Sequence, residues 1–319
     1  MLWRAASRSR AWEPWGLGLE RRRSERKPFR QRRRRGERIH ALGVEMDLVR
    51  PEEVMHHVAA AVDAGERYCV ANYNLHGVHL AHKNLDYARF CEAADMIEVD
   101  STPIIFLTRM LGLHSRPFHR CTYLDWREHF WSLANREGWR IYYLGGAPGV
   151  PDAAAECLGR RYPQAVIRTR HGYFDARPGS DDNAEILAEI AAFQPQILFV
   201  GMGMPRQEAW LLHHGSQLPP CVTFSVGAAF DYEAGVQRAA PRWMGRVGVE
   251  WLYRLASDPR RLFGRYLIEP WSLAGVAFTD LAAAIREKRL FRAPALEAER
   301  AANRIQAQAD QAGKFSATP

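Results

Sequence analysis

The chain reads as an α/β protein whose helices flank a mainly parallel sheet. Three observations predict this. Apolar runs of strand length alternate with longer helix-like segments, the signature of βα units. Each run ends in glycine or polar residues, and 47% of the 319 residues are apolar, enough for a substantial core.

Strands are expected at 67–73, 96–99, 140–144, 165–168, 197–200 and 222–226, each a short run rich in apolar residues. Helices are expected between them at 78–93, 124–137, 153–162, 183–193 and 207–214. No repeat of 20 to 50 residues is evident, which argues against a solenoid. From Arg238 the character changes: arginines interleave with Trp243, Trp251, Tyr253 and Tyr266. Arg254, Arg261 and Arg265 recur at intervals of seven and four, so on a continuous helix they share one face. That face either grips phosphate or pairs with local acids such as Glu250 and Asp258. Residues 272–285 are apolar and helical but far too short to span a bilayer. The resulting division is a basic arm at 1–38, an α/β domain at 39–237, a helical Arg/Trp-rich appendage at 238–290 and a polar tail at 291–319.

Charge and cysteine content exclude several classes. The net charge is +8, yet residues 1–40 hold 14 Lys and Arg against 4 Asp and Glu, so the rest of the chain is close to neutral. A nucleic-acid-binding core therefore has no support. The arm has too few apolar residues to pack and is expected to be disordered. It either attracts anionic lipid headgroups or reflects a translation start placed too far upstream. It lacks the apolar segment of a secretory signal. Cys69, Cys91, Cys121, Cys157 and Cys221 are scattered and form no CxxC pair, which fits a reducing cytosol.

The carboxyl ends of parallel strands face one crevice, so the residues just past each strand bear on function. In order these ends are Asn72-Tyr73-Asn74, Asp100-Ser101-Thr102-Pro103, Gly145-Gly146-Ala147-Pro148-Gly149, His171-Gly172-Tyr173-Phe174, Gly201-Met202-Gly203-Met204-Pro205-Arg206-Gln207-Glu208 and Gly227-Ala228-Ala229-Phe230-Asp231. Each alone is ordinary turn chemistry; together they outline a nucleotide-type pocket. Asp100 is the best-placed carboxylate to take a proton from an attacking hydroxyl. The alternative is that it caps the helix starting near Pro103. Asp231 either contacts a ligand or stabilises its own loop. His76, His79 and His82 drift round a helix at steps of three, which favours individually satisfied side chains over a metal site. Walker, GxSxG and HExxH motifs are absent.

Taken together, these motifs resemble the WecG/TagA/CpsF glycosyltransferases over about residues 39–266. The strongest pieces are Leu144 to Gly149, Val200 to Glu208, Val226 to Asp231 with Gly235, Arg238 to Pro241, Gly248 to Leu255, and Pro259-Arg260. The resemblance implies a Rossmann-like domain with a membrane-approaching C-terminal appendage. It also implies inverting transfer of a hexose from a UDP-sugar to a polyprenyl-pyrophosphate-linked saccharide in bacterial surface-polysaccharide or exopolysaccharide synthesis. Asp100 stands at the family's proposed catalytic base. Asn72, Asn74, Arg120, Gly145, Gly146, Gly201, Gly203, Gln207 and Asp231 fall on the donor side. Arg254, Arg261 and Arg265 match arginines suggested to hold the acceptor pyrophosphate. No metal or other cofactor is implied. The implied location is cytoplasmic, peripheral on the inner face of the plasma membrane; a homo-oligomer stays open.

Asn72-Tyr73-Asn74 stands where the family usually has Thr-Pro-Asn, Asp100-Ser101 where it has Asp-Gly, and Arg206 where it has Lys. A reshaped sugar pocket favours UDP-glucose or a related hexose over N-acetylmannosamine. The alternatives are a non-catalytic nucleotide-sugar-binding or membrane-scaffold protein and, more remotely, an α/β oxidoreductase.

Overall fold

The computed structural model describes residues 37–241, 244–245 and 248–292. Of the arm expected to be disordered at 1–38, residues 1–36 lie outside the described residues, whereas Arg38 is ordered and begins the first strand. Of the polar tail at 291–319, residues 293–319 lie outside them, whereas Phe291 N donates to Met110 O at 2.9 Å. Arg242, Trp243, Arg246 and Val247 of the Arg/Trp segment also lie outside.

The chain opens with a hairpin of β1 (Arg38–Ala41) and β2 (Val44–Asp47), antiparallel and turned at Leu42 and Gly43. Both turn residues have positive φ, 53° and 74°. This hairpin was not expected, because Arg38–Ala41 and Val44–Asp47 mix charged and apolar residues and form no apolar run. Fully buried Asp47 anchors it: its carboxylate accepts from Arg38 Nε at 2.7 Å and from Ile97 N at 2.9 Å.

The expected alternation comes next. It comprises α1 (Pro51–Asp63), β3 (Tyr68–Tyr73), α2 (Leu75–Lys83), α3 (Leu85–Ala93), β4 (Met96–Val99), α4 (Thr102–Met110), α5 (Tyr123–Glu137) and β5 (Arg140–Gly145). It continues with α6 (Val150–Arg161), β6 (Val166–Arg170), α7 (Asp181–Phe193), β7 (Ile197–Gly201), α8 (Arg206–His214), β8 (Val222–Ser225) and α9 (Ala229–Glu233). The single helix expected at 78–93 is two. Asn84 closes the first with its N–H on Leu80 O at 2.7 Å and starts the second by accepting from Tyr87 N at 2.9 Å. A short polar side chain that caps both ways breaks the run.

β3 to β8 form one six-stranded sheet, all parallel, in the order β4-β3-β8-β7-β5-β6. Side chains alternate faces along each strand. Tyr68 and Val70 join the cluster packed by α1, α5 and α9, whereas Cys69, Ala71 and Tyr73 join the cluster packed by α2, α3, α7 and α8. Trp126, Phe130 and Trp131 of α5 fill the first layer and are almost fully buried. With all strands parallel, their carboxyl ends meet along one edge.

Beyond the sheet lie α10 (Glu250–Ser257), α11 (Pro259–Phe263), a π turn (Gly264–Ile268), a 3-10 turn (Glu269–Leu273) and α12 (Ala274–Arg286). The continuous helix expected to align Arg254, Arg261 and Arg265 is therefore interrupted. Asp258 leaves helical geometry at φ −146° and ψ 73°, as a residue preceding a proline tends to. The last segments pack back on the domain: Leu42 N donates to Asp280 Oδ2 at 2.6 Å, and His76 Nδ1 meets Glu269 Oε2 at 2.5 Å.

Candidate active site

A cleft of about 910 Å³ opens at the carboxyl edge of the sheet, bounded by the strand ends and by α10 to the π turn. Of the residues singled out in the sequence, Asn72, Asn74, Asp100, Gly146, Gly201, Gly203, Gln207, Asp231, Arg254 and Arg265 border it. Arg120 meets this group through its ion pairs. Arg261 belongs to α11, and its side chain lies outside what the structure describes.

Asp100 follows β4 directly, and its N–H donates to Tyr73 O at 2.8 Å. It does not cap α4. Ser101 does, its Oγ accepting from Ile104 N, so the capping alternative for Asp100 falls. The Asp100 side chain keeps 31% of its surface exposed. Desolvation in the cleft pushes its pKa up to about 6; Arg120 and Arg254 oppose the rise, while Glu250 and Asp125 add to it. At neutral pH it is ionised and poised to accept a proton.

Four charged groups surround that carboxylate. Arg120 Nη2 lies 3.9 Å from Asp100 Oδ1 and 2.7 Å from Glu250 Oε2. The other Glu250 oxygen accepts from Arg254 Nε at 2.9 Å and Nη2 at 2.6 Å. Glu250 thus bridges an arginine beside β4 to an arginine of the appendage. The pairing of Arg254 with a local acid, read as one alternative in the sequence, is present; so is its position on the cleft wall. Arg265 also faces the cleft, with Nε buried and unpartnered, and burial lowers its pKa.

The glycines divide by role. A Cβ on Gly145 would meet Gly201 O at 2.3 Å, and one on Gly201 would meet Gly227 O at 2.4 Å, so close strand packing demands both. Gly203 has φ +80° and open space on the Cβ side, the geometry of a turn that lets a ligand approach. Gln207 is fully buried. Its Oε1 accepts from Gly203 N and Gly227 N, both at 3.1 Å, and its Nε2 donates to Glu208 Oε1 at 2.7 Å. It therefore ties the β7 and β8 loops together at the cleft floor. Asn74 commits Oδ1 to Gly77 N at 2.9 Å as the cap of α2. The Asp231 carboxylate lies over the β5 turn, 3.8 Å from where a Gly146 Cβ would stand. Arg206 stacks over Phe174 and donates to its carbonyl at 2.6 Å.

His76, His79 and His82 each have a separate partner: Glu269, Ser272 Oγ and Leu42 O. Among the described residues no group of three His, Cys, Asp or Glu is arranged to hold a metal ion. The sequence reading overlooked Glu98, which borders the cleft two residues before Asp100. The period of a strand was the available signal, since i and i+2 share a face. It also saw Glu250 only as a helix neighbour, because a contact with Arg120 from the far end of the domain leaves no local pattern.

The family model described as "Glycosyl transferase WecG/TagA/CpsF family" matches residues 39–287. The chain is also similar to N-acetylglucosaminyldiphosphoundecaprenol N-acetyl-beta-D-mannosaminyltransferases of Staphylococcus aureus strains MW2, NCTC 8325 and COL. In each case identity is 25% over 228 residues, covering 70% of this chain and 87% of the relative.

Proposed function

Because the chain belongs to the WecG/TagA/CpsF family of glycosyltransferases, we propose that it transfers a hexose from a UDP-sugar to a hydroxyl of a polyprenyl-diphosphate-linked saccharide, with inversion. The observation that carries this is the Asp100 carboxylate, ionised at neutral pH and set in a cleft beside three arginines. The acceptor oxygen attacks the anomeric carbon and its proton passes to Asp100. The bond from that carbon to the β-phosphate oxygen breaks, and UDP leaves with the electron pair. Arg120, beside the Asp100 carboxylate, stabilises the departing charge. Arg254 and Arg265, with Arg261, hold the acceptor diphosphate.

The relatives' names specify N-acetylmannosamine for those proteins. Here Asn72 borders the cleft beside the proposed base, which favours glucose or a related hexose. Among the described residues no helix is long and apolar enough to cross a membrane. We place the enzyme peripherally on the cytoplasmic face, with the exposed side chains of Trp271, Phe278 and Ile285 toward lipid.

The test is a panel of UDP-sugars incubated with a short polyprenyl-diphosphate monosaccharide, read by product mass. One hexose added with release of UDP is the expected result. Binding of UDP-sugar without turnover on any acceptor would replace this reading with that of a non-catalytic nucleotide-sugar-binding protein.

A further inference from the structure

The same strand face that presents Asp100 carries a second carboxyl. Glu98 lies two residues earlier on β4 and is in register with Asn72 on β3, so the two side chains stand side by side on the face turned toward α5. Both border the cleft, and Glu98 is only 4% exposed. Burial pushes its carboxyl up to about 8, so at neutral pH it is a protonated acid able to donate as well as accept.

The surrounding polar atoms are incompletely used. Cys121 Sγ donates to Glu98 Oε1 at 3.4 Å, which leaves Oε2. Asn72 Nδ2 donates to Ser225 O at 2.7 Å, which leaves its carbonyl oxygen. The buried Trp126 indole N–H stands beside the Glu98 carboxyl and completes no hydrogen bond of good geometry with it. A cleft floor that offers the Asn72 carbonyl as acceptor and the Glu98 carboxyl as both donor and acceptor fits a hydroxyl, which itself donates and accepts.

Position decides which hydroxyl. Glu98 lies about 6.5 Å below Asp100 along the strand, roughly the depth of one pyranose ring. A base at the upper level serves the acceptor oxygen beside the anomeric carbon, so the ring bearing that carbon extends down to Glu98. We propose that Glu98, with Asn72 beside it, reads a hydroxyl of the donor sugar and sets which hexose is transferred. This rests on the glycosyl-transfer reading above.

The test compares the preferred UDP-hexose with its monodeoxy analogues in the wild type, Glu98→Leu and Glu98→Gln. At one ring position, loss of the hydroxyl should cost the wild type roughly 10- to 100-fold in kcat/KM and Glu98→Leu less than about threefold. Glu98→Gln, which keeps shape and hydrogen bonding, should fall between them. Affinity for UDP, measured by calorimetry, should stay within about twofold in all three proteins, since the sugar and not the nucleotide is read. Equal losses at every ring position in every protein would overturn the inference, as would weakening of UDP itself by Glu98→Leu. If Glu98→Leu does not fold, Glu98→Gln carries the comparison. A wild type that turns over no UDP-hexose removes the transfer reading and this inference with it; turnover without coupling removes this inference alone.

Discussion

Arg120 and Glu250, 130 positions apart, meet at 2.7 Å beside the Asp100 carboxylate. The contact joins the sheet domain to the appendage and places a negative charge near Asp100, the proposed base. That charge raises the pKa of Asp100, against the pull of the two arginines. Replacing Glu250 with Gln removes it while keeping the hydrogen-bonding shape. The acid limb of the kcat/KM profile, expected near pH 6 in the wild type, should therefore move to lower pH. An unmoved or raised limb would mean that Glu250 does not act electrostatically on Asp100.

Asp100 and its neighbour Ser101 should separate chemistry from stability. Asp100→Asn should lower kcat by ~10²- to 10⁴-fold, the contribution of a positioned general base. Its melting temperature should stay near that of the wild type, because α4 is capped by Ser101. Ser101→Ala should do the reverse, costing about 1 kcal/mol of stability with kcat little changed. Thermal melts and steady-state kinetics on the two variants decide this; a stability loss confined to Asp100→Asn would reverse the roles.

Glu208 gives a stability prediction of defined sign. It is 1% exposed, its Oε2 is buried without a partner, and burial raises its pKa from 4.5 to about 7. The proton it retains on folding stabilises the protein fully below about pH 4.5, and that contribution is lost as pH rises through 7. Glu208→Gln should thus gain on the wild type between about pH 5 and pH 8, by on the order of 2–3 kcal/mol. Chemical denaturation at the two pH values measures the difference. A gap that does not change with pH would show that Glu208 is not a buried acid.

The sheet was legible because its strands are buried apolar runs, Ile197 to Val200 above all, and because glycine or polar residues mark their carboxyl ends. The cleft followed from those ends. Asp100 was visible as a candidate, but two adjacent polar residues can each cap a helix, and only coordinates show that Ser101 takes the position. The arginine face failed as a single helix because Asp258 and Pro259 interrupt it, and helical spacing assumes continuity. Glu250 and Glu98 acquire meaning from a long-range ion pair and from strand register, neither of which is a property of any local window.

Trp271, Phe278 and Ile285 are seven residues apart and 78%, 70% and 56% exposed, an apolar stripe along the 3-10 turn and α12. The opposite side of this segment is occupied: Leu273 and Ala284 are buried, and Asp280 is bonded to Leu42 N. At 13 residues, α12 is about 20 Å long, short of the ~30 Å hydrocarbon core. On the peripheral placement proposed above, such a helix would lie in the interface rather than across it, and Arg286, Lys288 and Arg292 at its end suit anionic headgroups. Burying one large apolar side chain is worth about 1.5–3 kcal/mol, so Trp271→Glu with Phe278→Glu should weaken cosedimentation with anionic vesicles by at least ~10-fold. Turnover on a water-soluble acceptor analogue should be unchanged, since neither residue borders the cleft. Wild-type vesicle binding by the double variant would exclude the stripe as a lipid contact. A wild-type dimer converted by the substitutions to a monomer in size-exclusion chromatography would assign the stripe to a subunit interface instead.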